Sequence, residues 1–402
     1  MVSPPHCFGG LNWWRNRAGA VFSWFPGFGG TPAGDSGWYK GMVFRKGSRT
    51  ADRSAWTMTA DQSCERQEKV RLLPPPGCTL VQADGELARQ AIGRVIAPNE
   101  PIDSERVNSF LSYADLRQLD LSHTWCVLEG GGKVIAAALA IPAPGRAVMM
   151  FASEEKEPRS RRAGSCVIER ASRSVAGAVL AQVLIEPDEA EQQSMFMEGG
   201  FQRLTTLSYM QRPLPTRPPA AIRDWPAEVS IISWQELQST LREGNPARST
   251  EKDCEDETRR EFIAALDASY EQTRDCPGLK GIRTTEDVLA GHLDTGEFDP
   301  SLWTMVRFRD EPAGVLLFSY VAERQAYELV YIGLAPSVRG KGVASRLLQH
   351  GLRRLCGRPG RYITLAVDEE NQPALKLYKK LGFAVTGRRT ALIRNLNNIN
   401  DE

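Results

Sequence analysis

The chain carries one plan twice. "HTWCVLEGGGKVIAAALAI" from His123 and "SLWTMVRFRDEPAGVLLFSY" from Ser301 each open an apolar run with a tryptophan, break at a polar turn and return as a second apolar run. That is the pattern of a β-hairpin, written with Trp125 in one copy and Trp303 in the other. "RRAGSC" at Arg161–Cys166 stands 178 residues before "RGKGVA" at Arg339–Ala344, the same spacing that separates the two tryptophans. Further on, "LIEPDEAEQQSMFMEGGF", ending at Phe201, parallels "LAVDEENQPALKLYKKLGF", ending at Phe383, with an offset of 182 residues. Three matches in one order at nearly constant spacing read as a duplicated domain.

A length of 402 residues accommodates two such units, each with its own core. Between them lies "RPLPTRPPAAIRDWPAE", whose prolines can continue neither a helix nor a central strand, so it reads as a stiff linker. The expected organisation is a leader over 1–77, a first copy over 78–212, a linker over 213–228 and a second copy over 229–396. In the second copy an amphipathic stretch, "CEDETRREFIAALDASY", precedes the hairpin, and strands and helices alternate after it. Each copy is therefore expected to be an α/β (α+β) domain with a mixed sheet. The leader holds Trp13, Trp14, Trp24, Trp38 and Trp56 among Gly, Ser and Arg without any period, and reads as disordered, with Met58 an equally serviceable start. "GDSG" at Gly34–Gly37 has the look of a serine nucleophile loop but lacks His and Asp in an ordered context.

A formal charge of +1 gives no field for gathering nucleic acid or an anionic membrane, and no apolar run is long enough for a membrane span. The eight cysteines show no C-x-x-C spacing and there are only four histidines, so neither a disulfide framework nor a metal site is expected, and a reducing cytoplasm fits. Any functional charge must be local.

The strongest local signal is "LAPSVRGKGVASRLLQHGLRRL", Leu334–Leu355. The preceding "YELVYIGL" is apolar on both faces, as a buried central strand would be, and Pro336 stops it. After Gly342 the residues Val343, Ala344, Leu347, Leu348, Leu352 and Leu355 fall at helical spacing, opposite Arg346, Gln349, His350, Arg353 and Arg354. A strand, a glycine loop and a helix result. Glycines at 340 and 342 let a ligand approach backbone N–H groups at the positive end of the helix dipole, a ready anion site. Arg339, Lys341, Arg346, Arg353 and Arg354, with no acidic residue between Val338 and Leu355, suit a ligand with several phosphates. A glycine-eased turn with a solvated basic face is the plainer reading of the same residues.

Arg339-x-x-Gly342-x-Ala344 at a strand–helix junction, followed by "NQPALKLYKKLGF" at Asn371–Phe383, resembles the GNAT family of acyl-CoA-dependent N-acetyltransferases. Neither a Walker loop nor a G-x-G-x-x-G fingerprint occurs at this junction. The resemblance implies two tandem GNAT-like domains and acetyl-CoA as cosubstrate, its pyrophosphate on the amides of Arg339, Gly340, Lys341, Gly342, Val343 and Ala344. It further implies that the strand edge at Ile332, Gly333 and Leu334 pairs with the pantetheine amides, that Asn371 lies by the pantetheine arm and that Tyr378 lies near the thioester sulfur. Tandem copies with an active second half resemble the mycothiol synthases.

Transfer to an amine needs a base for the acceptor and an acid for the departing thiolate. Tyr378 is the candidate acid, or else a packing residue of an amphipathic helix. Glu328, a carboxylate in an apolar strand, is the candidate base; an exposed strand start or an arginine pair would account for it equally well. Asp368, Glu369 and Glu370 offer an alternative through water. Cys356 and His350 read as packing and solvated. The acceptor is an unidentified amine, and "EQTRDCPGLKGIRTTEDVLAGHLDTGEFDP" occupies the place where it would be chosen. A chain that binds acyl-CoA without catalysis is the other class of function. The first copy is expected to be structural: Cys166 stands where the loop wants Gly or Ala, Phe196 stands for Tyr378 and Glu189 for Asn371. Its expected role is to wall off part of the acceptor pocket.

Overall fold

The computed structural model describes residues 72–98, 100–219, 225–244 and 250–397. The tryptophan-rich leader, Met58 and "GDSG" lie outside the described residues. Both halves follow one order of elements. The first runs β1 (Cys78–Gln82), α1 (Gly85–Ile96), α2 (Glu105–Leu116), β2 (Thr124–Glu129), β3 (Lys133–Ala143), β4 (Ala147–Ala152), α3 (Pro158–Ser172), β5 (Leu180–Ile185), α4 (Ala190–Glu198) and β6 (Gln202–Pro213). The second runs β7 (Val229–Ser233), α5 (Trp234–Gly244), α6 (Glu251–Tyr270), α7 (Thr285–Leu293), β8 (Glu297–Phe308), β9 (Glu311–Val321), β10 (Ala326–Leu334), α8 (Val343–Leu355), β11 (Tyr362–Asp368), α9 (Gln372–Lys380) and β12 (Ala384–Asn395). The two expected hairpins are β2–β3 and β8–β9. One segment has no counterpart: residues 271–296, with α7 inside them, stand where 117–123 connect helix to strand in the first half.

All strands join one twelve-stranded sheet in the order β1-β2-β3-β4-β5-β12-β6-β11-β10-β9-β8-β7. Only β4–β5 and β10–β11 pair in parallel, each bridged by a helical crossover through α3 or α8. The last strand of each half crosses over. β6 pairs with β11 of the second half, β12 pairs with β5 of the first, and β6 and β12 pair with each other at the centre. A boundary between 212 and 229 thus divides the chain but not the sheet.

Helices cover both faces. In the second half Leu347, Leu348, Leu352 and Leu355 of α8 pack onto Leu316 and Phe318 of β9, each leucine contributing on the order of 1.5–3 kcal/mol by leaving water. On the opposite face Trp234 and Phe262 of α5 and α6 close over Trp303, with the Trp234 and Trp303 rings edge to face at 5.8 Å. The period of α8 follows directly from the spacing of its leucines. A β12 side chain enters the first half: Arg394, buried, donates to Ser172 Oγ (2.8 Å) and to the Gly199 carbonyl (3.0 Å), with Glu169 at 3.4 Å.

Candidate active site

The junction of β10 and α8 forms a row of unused donors. Gly342 is the N-cap of α8 at φ +75° and Gly340 lies at φ +76°, the left-handed region that side chains avoid. The first helical bond runs from the Arg346 N–H to the Gly342 carbonyl. Among the described residues, no acceptor takes the N–H groups from Gly340 to Ser345. A Cβ at Gly340 would meet nothing within 4 Å, so the concave side is open. These residues fit a pyrophosphate.

Arg339 has a different place from its neighbours. Its N–H goes to the Pro336 carbonyl at 3.2 Å. Its guanidinium donates to the carbonyls of Leu334 (2.8 Å), Ser269 (2.9 Å), Glu271 (2.7 Å) and Gln272 (3.1 Å). The last three are the orphan carbonyls at the end of α6, where a cation also suits the dipole. Arg339 thus fastens the loop to α6. Lys341 lies over the Phe308 ring at 4.6 Å.

Below the loop the sheet opens. β10 and β11 pair only from Ala326↔Tyr362 to Glu328↔Thr364, leaving the edge from Leu329 to Leu334, with Ile332 and Gly333, unpaired toward β11. A register shift between Leu329 and Tyr331 marks a bulge. Leu329 therefore packs on the α8 side, whereas both Val330 and Tyr331 pack on the α6 side. Tyr331 Oη hydrogen-bonds Ser269 Oγ at 3.0 Å, and a Cβ at Gly333 would overlap both.

A cavity of about 490 Å³ reaches this opening. Its walls come from Glu328 to Tyr331 of β10, Ala366 of β11, much of the segment 271–296, and Ala143, Pro144, Ala147 and Gln182 of the first half. The first half is held there by Arg146, whose guanidinium forks onto Asp287 at 2.6–3.0 Å while Asp287 caps α7. Glu328 is buried, and burial pushes its carboxyl up to about 7, against the pull of Arg324 at 3.7 Å. Of the two plainer readings of Glu328, the exposed strand start fails because the residue is buried, while the arginine pair is present. Asp275, which sequence reasoning passed over, is raised to about 6, first by burial. It accepts from the Asp368 N–H at 3.4 Å, and Asn371 also hydrogen-bonds it. Asn371 Oδ1 in turn caps α9 at the Ala374 N–H.

Tyr378, on α9, is buried beside Phe383 with ring centroids 5.8 Å apart. Its phenol is pushed well above its ordinary range by burial, then by Asp275 and Tyr331, so it keeps its proton. The remaining carboxylates are occupied. Asp368 accepts from Thr205 Oγ1 (2.6 Å) and the Cys276 N–H (3.1 Å), and Glu369 from Ser208 Oγ (2.6 Å) and Arg388 (2.5 Å). They bind β11 to the crossing strands. Glu370 is exposed.

The first half lacks such a cradle. Its helix α3 begins at Pro158, so Arg161 and Gly164 lie inside the helix and not in a loop before it. A Cβ at Gly164 would overlap Met195 Sδ. Met195 and Phe196 fill the space beneath.

A cradle of free amides over a parting pair of parallel strands, with a buried carboxyl and a buried phenol nearby, is what an acyl-CoA-dependent acyltransferase needs. The model of the "Acetyltransferase (GNAT) family" matches residues 256–383. The peptidyl-lysine N-acetyltransferase YjaB of Escherichia coli is 33% identical over 128 residues, 32% of this chain and 77% of that protein. The mycothiol acetyltransferase of Kineococcus radiotolerans is 36% identical over 103 residues, 25% of this chain and 33% of that protein. Among solved structures, a GCN5-related N-acetyltransferase from Sphaerobacter thermophilus aligns over 81% of this chain and 97% of its own, with 18% identity and a TM-score of 0.46. The chain belongs to the GNAT family. Its chemistry is that of an N-acetyltransferase, moving acetyl from acetyl-CoA to an amine, which leaves a purely binding role without support. Among the described residues no helix is long and apolar enough to cross a membrane and no cluster of metal-ligating side chains occurs.

Proposed function

We propose that the second half performs acetyl transfer by direct attack, with Glu328 as base and Tyr378 as acid. The N–H groups from Gly340 to Ser345 hold the pyrophosphate, the open edge from Leu329 to Leu334 pairs with the pantetheine amides, and Asn371 borders that arm. Glu328 takes a proton from the acceptor ammonium. The freed amine bonds to the thioester carbonyl carbon, the C–S bond breaks as the tetrahedral adduct collapses, the thiolate takes the Tyr378 proton, and the second proton of the acylated nitrogen returns to the tyrosinate, leaving a neutral amide. The carrying observation is Glu328, a buried carboxyl facing the cavity where β10 and β11 part. A cavity of about 490 Å³ walled by both halves favours a small amine over a protein side chain.

Thiol release from acetyl-CoA, measured with an accepted amine between about pH 5 and 9, tests the base. A base works deprotonated, so kcat/KM rises with pH through about 7, the value at which Glu328 titrates. Glu328→Gln should lower it by about ten- to a thousandfold and abolish that limb. A limb surviving in Glu328→Gln would move the role to Asp275.

A further inference from the structure

The cavity contains two polar groups that the chain itself leaves unused. Arg283 lines it just ahead of α7 and, among the described residues, makes no hydrogen bond; Asp287 and Tyr270 act on it only electrostatically. Neighbouring parts of this wall are tied down: Arg146 holds Asp287, and Arg339 holds the end of α6. A half-buried guanidinium with no hydrogen-bond acceptor in the chain is placed to take one from a ligand. His292, one helix further on, also lines the cavity, and its Nε2 is buried without a partner. Its ring stacks on Tyr331 at 5.6 Å and 19°. Burial lowers it to about 3, so the imidazole is neutral and carries one N–H. Arg283 and His292 both belong to the segment 271–296, which the first half lacks.

The surrounding charge narrows the ligand. Asp267, Glu271, Asp275, Asp294 and Glu328 face the cavity against Lys280 and Arg283. Such a site draws a cationic amine and repels a dianion, so a phosphate suits it poorly. A carboxylate matches one planar guanidinium with two parallel hydrogen bonds. We infer that the acetyl acceptor is a small amine that also carries a carboxylate, with Arg283 as its carboxylate-binding residue and the His292 Nε2 beside it. This rests on the cavity being the acceptor site of the Glu328 mechanism.

The test uses the full-length protein with acetyl-CoA and the common amino acids, each paired with its carboxamide, following thiol release. The kcat/KM of the preferred carboxylate should exceed that of its amide by at least about tenfold, and Arg283→Met should bring the ratio to about one through KM. Arg283→Lys, which keeps the charge but not the fork, should retain part of the ratio. Equal rates for acid and amide, or acetylation of a peptide lysine alone, would overturn the inference. A second measurement needs no turnover: the N-acetyl amino acids should raise the Tm of the wild type and not of Arg283→Met. No shift in the wild type overturns the carboxylate site even if amines are acetylated. A shift by acetyl-CoA and by the N-acetyl amino acids without any turnover would instead count against Glu328 and leave Arg283 standing.

Discussion

At the scale of single residues, the site is organised by burial more than by charge. Tyr378 is held protonated by its surroundings, so its proton is present throughout the working pH range, while burial makes it a weaker acid than a free phenol. Tyr378→Phe should keep acetyl-CoA affinity, read by calorimetry, and lose about ten- to a thousandfold in kcat. Unchanged turnover would make the ring a packing partner of Phe383 and nothing more. In the sequence Tyr378 is singled out by the resemblance of "LY..LGF" to the family's motif, and Glu328 as a carboxylate in an apolar strand. Asp275, Arg283 and His292 were not. They lie in a segment without period, where a charged residue reads as solvated, and only the fold reveals that this segment is drawn beneath the sheet edge. The sequence singled out this segment but could not tell which of its polar groups face the cavity.

At the scale of elements, the difference between the halves is where a helix starts. α8 starts after Gly342 and leaves a loop of free amides, whereas α3 starts at Pro158 and winds the equivalent residues into its own first turns. Calorimetry should therefore give one acetyl-CoA site per chain. Gly342→Glu should remove the thermal shift by acetyl-CoA, since its side chain carries negative charge into the cradle; the nearest obstacle, Arg346 Nη1, is the movable end of a side chain. An unchanged shift would show that the cosubstrate binds elsewhere. A matching change at Gly164 is a poor control, because Met195 already occupies the space a side chain needs. The period of α8 and both hairpins could be read from leucine spacing and polar turns. The bulge in β10 could not, since "YELVYIGL" is apolar throughout and its alternation gives no register.

At the scale of the whole molecule, duplication was readable from the spacing of its repeats, but the crossing of β6 and β12 was not, because both strands suit either sheet edge. The crossing should make the halves unfold as one unit. Arg394 of β12 is buried in the first half among Glu169, Ser172 and Gly199, while Arg173 also pairs with Glu169 at 2.8 Å. Arg394→Met should cost about 3 kcal/mol, the low end for a broken buried pair because Arg173 remains. Hydrogen exchange should show β3 and β9 losing protection together in urea. Independent loss in the two strands would mean that each half is stable alone.

The exchanged strands also set an order of assembly on the ribosome. When β5 emerges its outer edge has no partner, because the strand that will cover it, β12, follows every other strand of this sheet in the sequence. β6 likewise waits for β11. A nascent chain therefore carries an open sheet edge through the synthesis of its entire second half, and that edge is the surface most exposed to mispairing with a neighbouring chain.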